Sequence, residues 1–209
     1  MTKVWINFYV AFNVWRFIAN FVTSRIGVLF IPSGSNGKWY ICMKIDKTNA
    51  ARLLDKAKIA YELIPYMVDE SDLSAVHVAG QLSEPIEKVF KTLVLKGDKT
   101  GYFVCVIPGA EELDLKKAAK VSGNKSCDMI PMKELLPVTG YIRGACSPVG
   151  MKKRFPTFIN ETCLNFDRIY VSAGQRGLQI HLKPQDLIEV AGAVVDSLVS
   201  ADGCHPFKR

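Results

Sequence analysis

The segment Val89 to Gly109, "VFKTLVLKGDKTGYFVCVIPG", holds one side chain at odds with its surroundings. Lys91 alternates with Val89, Leu93 and Leu95, so a strand here carries a cation on its apolar side. Such a lysine either snorkels to water from an edge strand or meets a ligand whose charge it complements. Thr92 beside it reads equally well as ordinary strand filler. A second stretch, "VTGYIRGACSPVGMKKRFPTFIN", has Gly140, Gly144 and Gly150 with Pro148. Glycines at that density permit close backbone approach, and such a loop can aim N–H groups at an anion or a carbonyl oxygen. It can equally be a tight turn with no ligand.

Other chemistries lack their residues. Neither a G-x-x-x-x-G-K-[ST] phosphate loop nor a G-x-G-x-x-G dinucleotide fingerprint occurs. There is no G-x-S-x-G elbow, and His77, His181 and His205 fall in a helical segment, a strand and the tail, so a Ser or Cys nucleophile has no evident base. The six cysteines lie far apart, without C-x-x-C pairs or histidines at ligand spacing. No metal site, cofactor or disulfide framework is expected, and a reducing, cytoplasmic location is the simpler expectation. Cys146 in "GACSPVG" has no histidine neighbour in sequence and reads as a packing residue.

These residues need a scaffold. With 209 residues, 49% hydrophobic, and a net charge of +7, the chain can bury one substantial core. Its composition shifts near residue 42. Residues 1–42 hold Lys3, Arg16, Arg25 and Lys38, no Asp or Glu, and all three tryptophans; the remainder has 23 basic and 20 acidic residues. A membrane span in this lead is interrupted by Asn7, Asn13, Arg16, Asn20 and Arg25, and no signal-peptide pattern occurs. The preferred reading is that residues 1–42 are an apolar aromatic extension from a mis-assigned start, with Met43 beginning a domain over 43–209.

From Met43 onward, Thr48 is an expected N-cap for a helix with Leu53, Leu54 and Ala57 as its apolar stripe, and "YELIPYMV" turns to strand. A second helix covers "SAVHVAGQL", and Ser83 with Glu84, Pro85 and Glu87 reads as another helical start. "KGDKTG" joins two strands as a hairpin. "ELDLKKAAKVSG", with Leu113, Ala118 and Val121, predicts a short helix closed by Gly123. "RIYVSAG" and "GLQIHL" form a second hairpin around "GQRG", and "KPQDLIEVAGAVVDSLVS" reads as a final amphipathic helix. Helices and strands without strict alternation indicate an α+β fold, a single compact domain.

Together, "VFKTLVLKGD", "LDLKKAAK", "GYIRGACSPVGMKKRFPTFI", "IYVSAGQRGLQI" and "DLIEVAGAVV" resemble the YbaK/EbsC family of Cys-tRNA(Pro) deacylases, relatives of the editing domain of prolyl-tRNA synthetase. The resemblance runs from about Met43 to about Val199. It implies a curved mixed sheet flanked by helices and a trans-editing hydrolase acting on tRNA(Pro) mischarged with cysteine, with prolyl-tRNA synthetase as a further partner and no DNA. By the same resemblance Lys91 matches the essential lysine and Gly144 the loop that presents backbone groups to the substrate. Tyr66, Thr92, Ser172 and Gln179 match the pocket. Ala145 stands where many relatives have a second glycine, and Gln179 where some have an acidic residue. The implied chemistry is attack of the substrate's own thiol on its ester, which dispenses with a triad. Lys152, Lys153, Arg154 and Arg176 are candidates for acceptor-stem phosphates, although a short basic run is also an ordinary solvated loop. Deacylation of another mischarged tRNA, such as Ala-tRNA(Pro), and a non-catalytic tRNA- or synthetase-binding module remain the rival expectations.

Overall fold

A computed structural model describes the backbone of residues 3–6, 28–33 and 38–44 and the whole of residues 46–200. The chain divides into two units, Met1–Lys47 and Thr48–Arg209. The first holds strands β1 (Lys3–Ile6), β2 (Val28–Ser33) and β3 (Lys38–Lys44) in an antiparallel sheet of order β1-β3-β2. β3 runs through Met43, and the division between units falls after Lys47. Among the described residues no helix is long and apolar enough to cross a membrane.

The second unit is a mixed α+β fold. It opens with α1 (Asn49–Lys56), capped by Thr48, whose Oγ1 accepts from Ala51 N at 3.2 Å. The cap sets the phase of the helix, so Ala50, Ala51 and Leu54 are buried. Leu53 and Ala57, expected in the apolar stripe, face outward instead. Strand β4 (Tyr61–Pro65) leads to α2 (Ala75–Leu82), capped by Ser74. Ser83 does not start a helix: at φ +55° it is the left-handed C-cap of α2, and only a 3-10 turn, Ile86–Lys88, follows Pro85.

Strands β5 (Phe90–Gly97) and β6 (Gly101–Pro108) form the expected hairpin in the register Gly97 to Gly101. Its turn is gripped by a distant side chain. Asn124 Oδ1 accepts from Lys99 N and Thr100 N, each at 2.9 Å, and a Cβ at Gly97 would strike the Asn124 amide. Next come α3 (Leu115–Val121), β7 (Cys127–Met129), α4 (Met132–Thr139) and β8 (Thr157–Asn160). Leu113 stands outside the predicted helix, which Asp114 caps, and bridges to Val199. Strands β9 (Ile169–Ser172) and β10 (Leu178–Leu182) complete the second hairpin, before α5 (Pro184–Ala191) and β11 (Ala193–Asp196).

The C-terminal segment is therefore not one long helix. Gly192 at φ +62° caps α5, and the β-branched pair Val194 and Val195 continues as a strand parallel to β8. Eight strands of this unit make two sheets, β4-β10-β9 and β11-β8-β6-β5-β7, rather than a single sheet. One parallel bridge, Val89 to Tyr170, joins β9 to the start of β5. Leu95, Phe103, Cys105 and Ile107 bury one face of the larger sheet against Ala118, Ala119 and Leu198. Val89, Tyr170 and Ala79 form a smaller cluster where α2 covers the junction of the sheets.

Candidate active site

Lys91 lies on the face of β5 that carries Leu93 and Leu95, as the alternation requires, and pairs with Ile107 on β6. β5 is no free edge strand there. At its N-terminal end it is bridged to β9, and at its C-terminal end Leu95, Lys96 and Gly97 pair with β7. The half-buried Lys91 lies between those two attachments, and its Nζ donates to Gly109 O at 3.0 Å. Burial holds its pKa below the ordinary lysine value, opposed by the charges of Glu112 and Glu111.

The bridge from Val89 to Tyr170 carries the site onto the second sheet. Two residues on from each partner, Lys91 and Ser172 come to the same side of neighbouring strands. Ser172 pairs with Gln179, and Gln179 with Ile64 on β4, so a lysine, a serine and a glutamine from three strands form one row. Tyr66 continues the same side of β4, its N–H donating to Gly177 O at 3.0 Å. Thr92 is placed differently. Its register partner is Val106, so it faces away from Lys91 toward the buried interior.

Among the described residues, two buried side-chain oxygens lack a hydrogen-bond partner: Thr92 Oγ1 and Gln179 Oε1. Gln179 is only 6% exposed. An unpaired buried acceptor costs roughly 1–3 kcal/mol, and native folds retain few of them. Both belong to residues singled out from the sequence, on strands joined through the same junction.

The Gly144 loop closes over the end of β9. Gly144 has φ +79°, and its α-carbon packs toward Leu73, at the approach to α2. Tyr141 anchors the loop by donating its hydroxyl to Val149 O at 2.7 Å, and Asn49 Nδ2 donates to Gly150 O at 3.0 Å. Arg176, in the β9–β10 turn, donates from Nε to Arg143 O at 3.0 Å and pairs with Glu70 at 3.4 Å. It thereby ties the turn to the residue before Gly144. The segment leading into α2 is held by Gln81, whose Oε1 accepts from Met67 N at 2.8 Å while its amide nitrogen meets His77 Nε2 at 2.6 Å.

The other basic candidates do not join this site through any described contact. Lys152 Nζ reaches Pro137 O at 3.4 Å, and Arg154 donates to Val190 O at 3.3 Å. Lys153 and Arg154 rim a surface depression of about 280 Å³ whose apolar wall includes Leu53, Val149, Phe155 and Val190. Lys91, Ser172 and Gln179 do not line it. The two described histidines are engaged elsewhere: His77 faces Gln81 and Asp72, and the His181 ring stacks on Tyr170 with centroids 4.2 Å apart, while His205 lies outside the described residues. Burial pushes the Cys146 thiol up to about 12, so it is no thiolate at neutral pH. No group of His, Cys, Asp and Glu suited to a metal occurs among the described residues. Sequence reasoning missed Gly109, the partner of Lys91, whose only local signal is its place after Pro108 at the end of β6.

The comparisons with known proteins converge on one class. The aminoacyl-tRNA editing domain matches residues 70–190, a span that includes Lys91, Thr92, Gly144, Ser172 and Gln179. A protein of Enterococcus faecalis, provisionally named a Cys-tRNA(Pro)/Cys-tRNA(Cys) deacylase, EbsC, is 49% identical over 144 residues, covering 69% of this chain and 88% of that protein. A proline–tRNA ligase of Thermosipho africanus is 37% identical over 76 residues, 36% of this chain and 13% of the ligase. A crystal structure provisionally named a trans-editing enzyme for prolyl tRNA synthetase superposes with a TM-score of 0.66 at 22% identity, covering 73% of this chain and 96% of that one. The chain belongs to the aminoacyl-tRNA editing domain family, in its YbaK/EbsC branch.

Proposed function

We propose that the chain is a trans-editing deacylase that cleaves the ester of Cys-tRNA(Pro) in the cytoplasm. The observation that carries this reading is the unpartnered buried oxygen of Gln179, Oε1, which sits beside Ser172 on strands bridged to the start of the one that carries the Lys91 cation. A small aminoacyl group brings the matching donor, an amine N–H for Gln179. Lys91 meets the charge that develops on the ester oxygens.

The reaction needs no protein nucleophile. The substrate thiol gives up its proton and attacks its own ester carbonyl. The C–S bond forms, the C–O bond to the tRNA breaks, and the terminal ribose hydroxyl takes a proton. The released thiolactone then adds water to give free cysteine. Holding thiol and ester in attack geometry contributes about 7–11 kcal/mol through effective molarity. The raised pKa of Cys146 agrees with a reaction in which the sulfur comes from the substrate. Prolyl-tRNA synthetase is the partner we assign, since stand-alone and synthetase-borne editing domains share this family. Gly144 presents backbone to the carbonyl, and Tyr66 and Ser172 complete the pocket. Arg176 and the Lys152–Arg154 run meet tRNA phosphates.

The test is single-turnover deacylation of Cys-, Ala-, Ser- and Pro-tRNA(Pro) by the wild-type chain and Lys91→Ala. Selective loss of the cysteinyl ester, reduced about a hundredfold or more in the variant, is expected. Equal cleavage of Ser-tRNA(Pro) would defeat the thiol mechanism. Binding without turnover of any ester would leave a tRNA-binding module.

A further inference from the structure

Gly109 is fastened to β5 twice. Its N–H donates to Val89 O at 2.7 Å and its carbonyl accepts from Lys91 Nζ at 3.0 Å. It has no room for a side chain, because a Cβ would lie 2.5 Å from Ala75 Cβ and 2.9 Å from Val89 O. The turn that begins there is itself rigid. Glu111 N donates to Pro108 O at 3.1 Å, Leu113 bridges to Val199, and Asp114 N donates to Leu198 O at 2.9 Å. Glu111 and Glu112 are therefore held between two anchored points, in the turn that begins at the carbonyl bound by the half-buried Lys91 ammonium.

We propose that the turn from Pro108 to Glu112 is the positioning device for Lys91: the Gly109 carbonyl aims the ammonium, and Glu111 and Glu112 supply its counter-charge. This rests on the reading of Lys91 as the reactive cation. The physical need is plain. Desolvation draws the Lys91 pKa down and so narrows the alkaline range over which the cation persists, and the carboxylates of Glu112 and Glu111 are the charged groups that act against it. A carbonyl tether adds direction without neutralising the charge, so the ammonium stays available to the substrate. Gly109, Glu111 and Glu112 touch no substrate in this scheme and act through Lys91.

The experiment is an NMR titration of the full chain carrying [13Cε]lysine, with the Lys91 signal assigned by its absence in Lys91→Met. In Glu111→Gln/Glu112→Gln the Lys91 midpoint moves to lower pH than in wild type, while the distant Glu189→Gln leaves it in place. The double variant also loses kcat for Cys-tRNA(Pro) on the alkaline side and recovers it as pH is lowered, with KM little changed. Should the double variant unfold, Glu112→Gln alone, on an exposed side chain, shows the same direction of shift. An unmoved Lys91 midpoint in a folded variant overturns the inference while leaving the deacylase reading intact. Full activity in Lys91→Met overturns the site reading, and the positioning role with it.

Discussion

Ser172 and Gln179 face each other across the β9–β10 pair, and the Gln179 oxygen at that pair is buried without a donor. No described protein group donates to that oxygen, so a leucine in its place gives up no protein hydrogen bond there. Gln179→Leu is expected to leave stability unchanged or raise it by up to about 1 kcal/mol, while deacylation falls about tenfold or more. Urea unfolding and single-turnover rates on the same preparation check both halves. A parallel loss of stability and activity would make Gln179 a structural residue.

Gly174 packs its α-carbon against Tyr141, in a conformation at φ +89° that favours glycine. An added Cβ would lie 2.7 Å from the buried Tyr141 ring, whose hydroxyl holds the Gly144 loop through Val149. Gly174→Ala should cost about 2–4 kcal/mol, from left-handed strain plus overpacking. Tyr141→Phe should cost about 1–3 kcal/mol by leaving the Val149 carbonyl unpaired. Both should lower deacylation as the loop loosens, and denaturant unfolding with activity on the folded fraction separates the two effects.

Burial pushes the thiols of Cys105 and Cys146 up to about 12 and that of Cys163 up to about 11. Each is an acid whose folded pKa lies above its unfolded value of about 8.5, so the folded chain binds more protons in the alkaline range. The stability these thiols contribute is complete below the unfolded pKa and is lost as pH rises toward the folded one. The melting temperature should therefore fall between about pH 8 and about pH 10. In Cys105→Ala/Cys146→Ala/Cys163→Ala that dependence should flatten. Native Cys146 should resist iodoacetamide at neutral pH, and Cys146→Ala should retain deacylation.

We expect the native protein to begin at Met43. Intact-mass measurement of the protein isolated from its own cells checks this directly; a mass that includes residues 1–42 would refute it. A chain beginning at Met43 should match the full chain in deacylation, since every assigned site residue lies beyond it.

Much of the site was legible because its signals are local. A strand that alternates Val89, Lys91, Leu93 and Leu95 exposes its misfit within a few residues, and Thr48 and Gly123 mark helix ends by side-chain and backbone chemistry close at hand. The "GQRG" and "KGDKTG" turns likewise specify their hairpins. The C-terminal error arose where local signals conflict. "IEVAGAVVD" has helical spacing throughout, and only the left-handed Gly192 together with an open position beside β8 turns its second half into a strand.

The sequence by itself determined the α+β class, the two hairpins and the anomalous Lys91. Only the tertiary structure decided which polar groups share a face. One parallel bridge between Val89 and Tyr170 brings Lys91 into a row with Ser172 and Gln179, turns Thr92 to the other side, and gives the ammonium to Gly109. The reason is physical: turns and caps are settled by interactions within a few residues. The order in which strands meet is set by burying apolar faces contributed from distant parts of the chain.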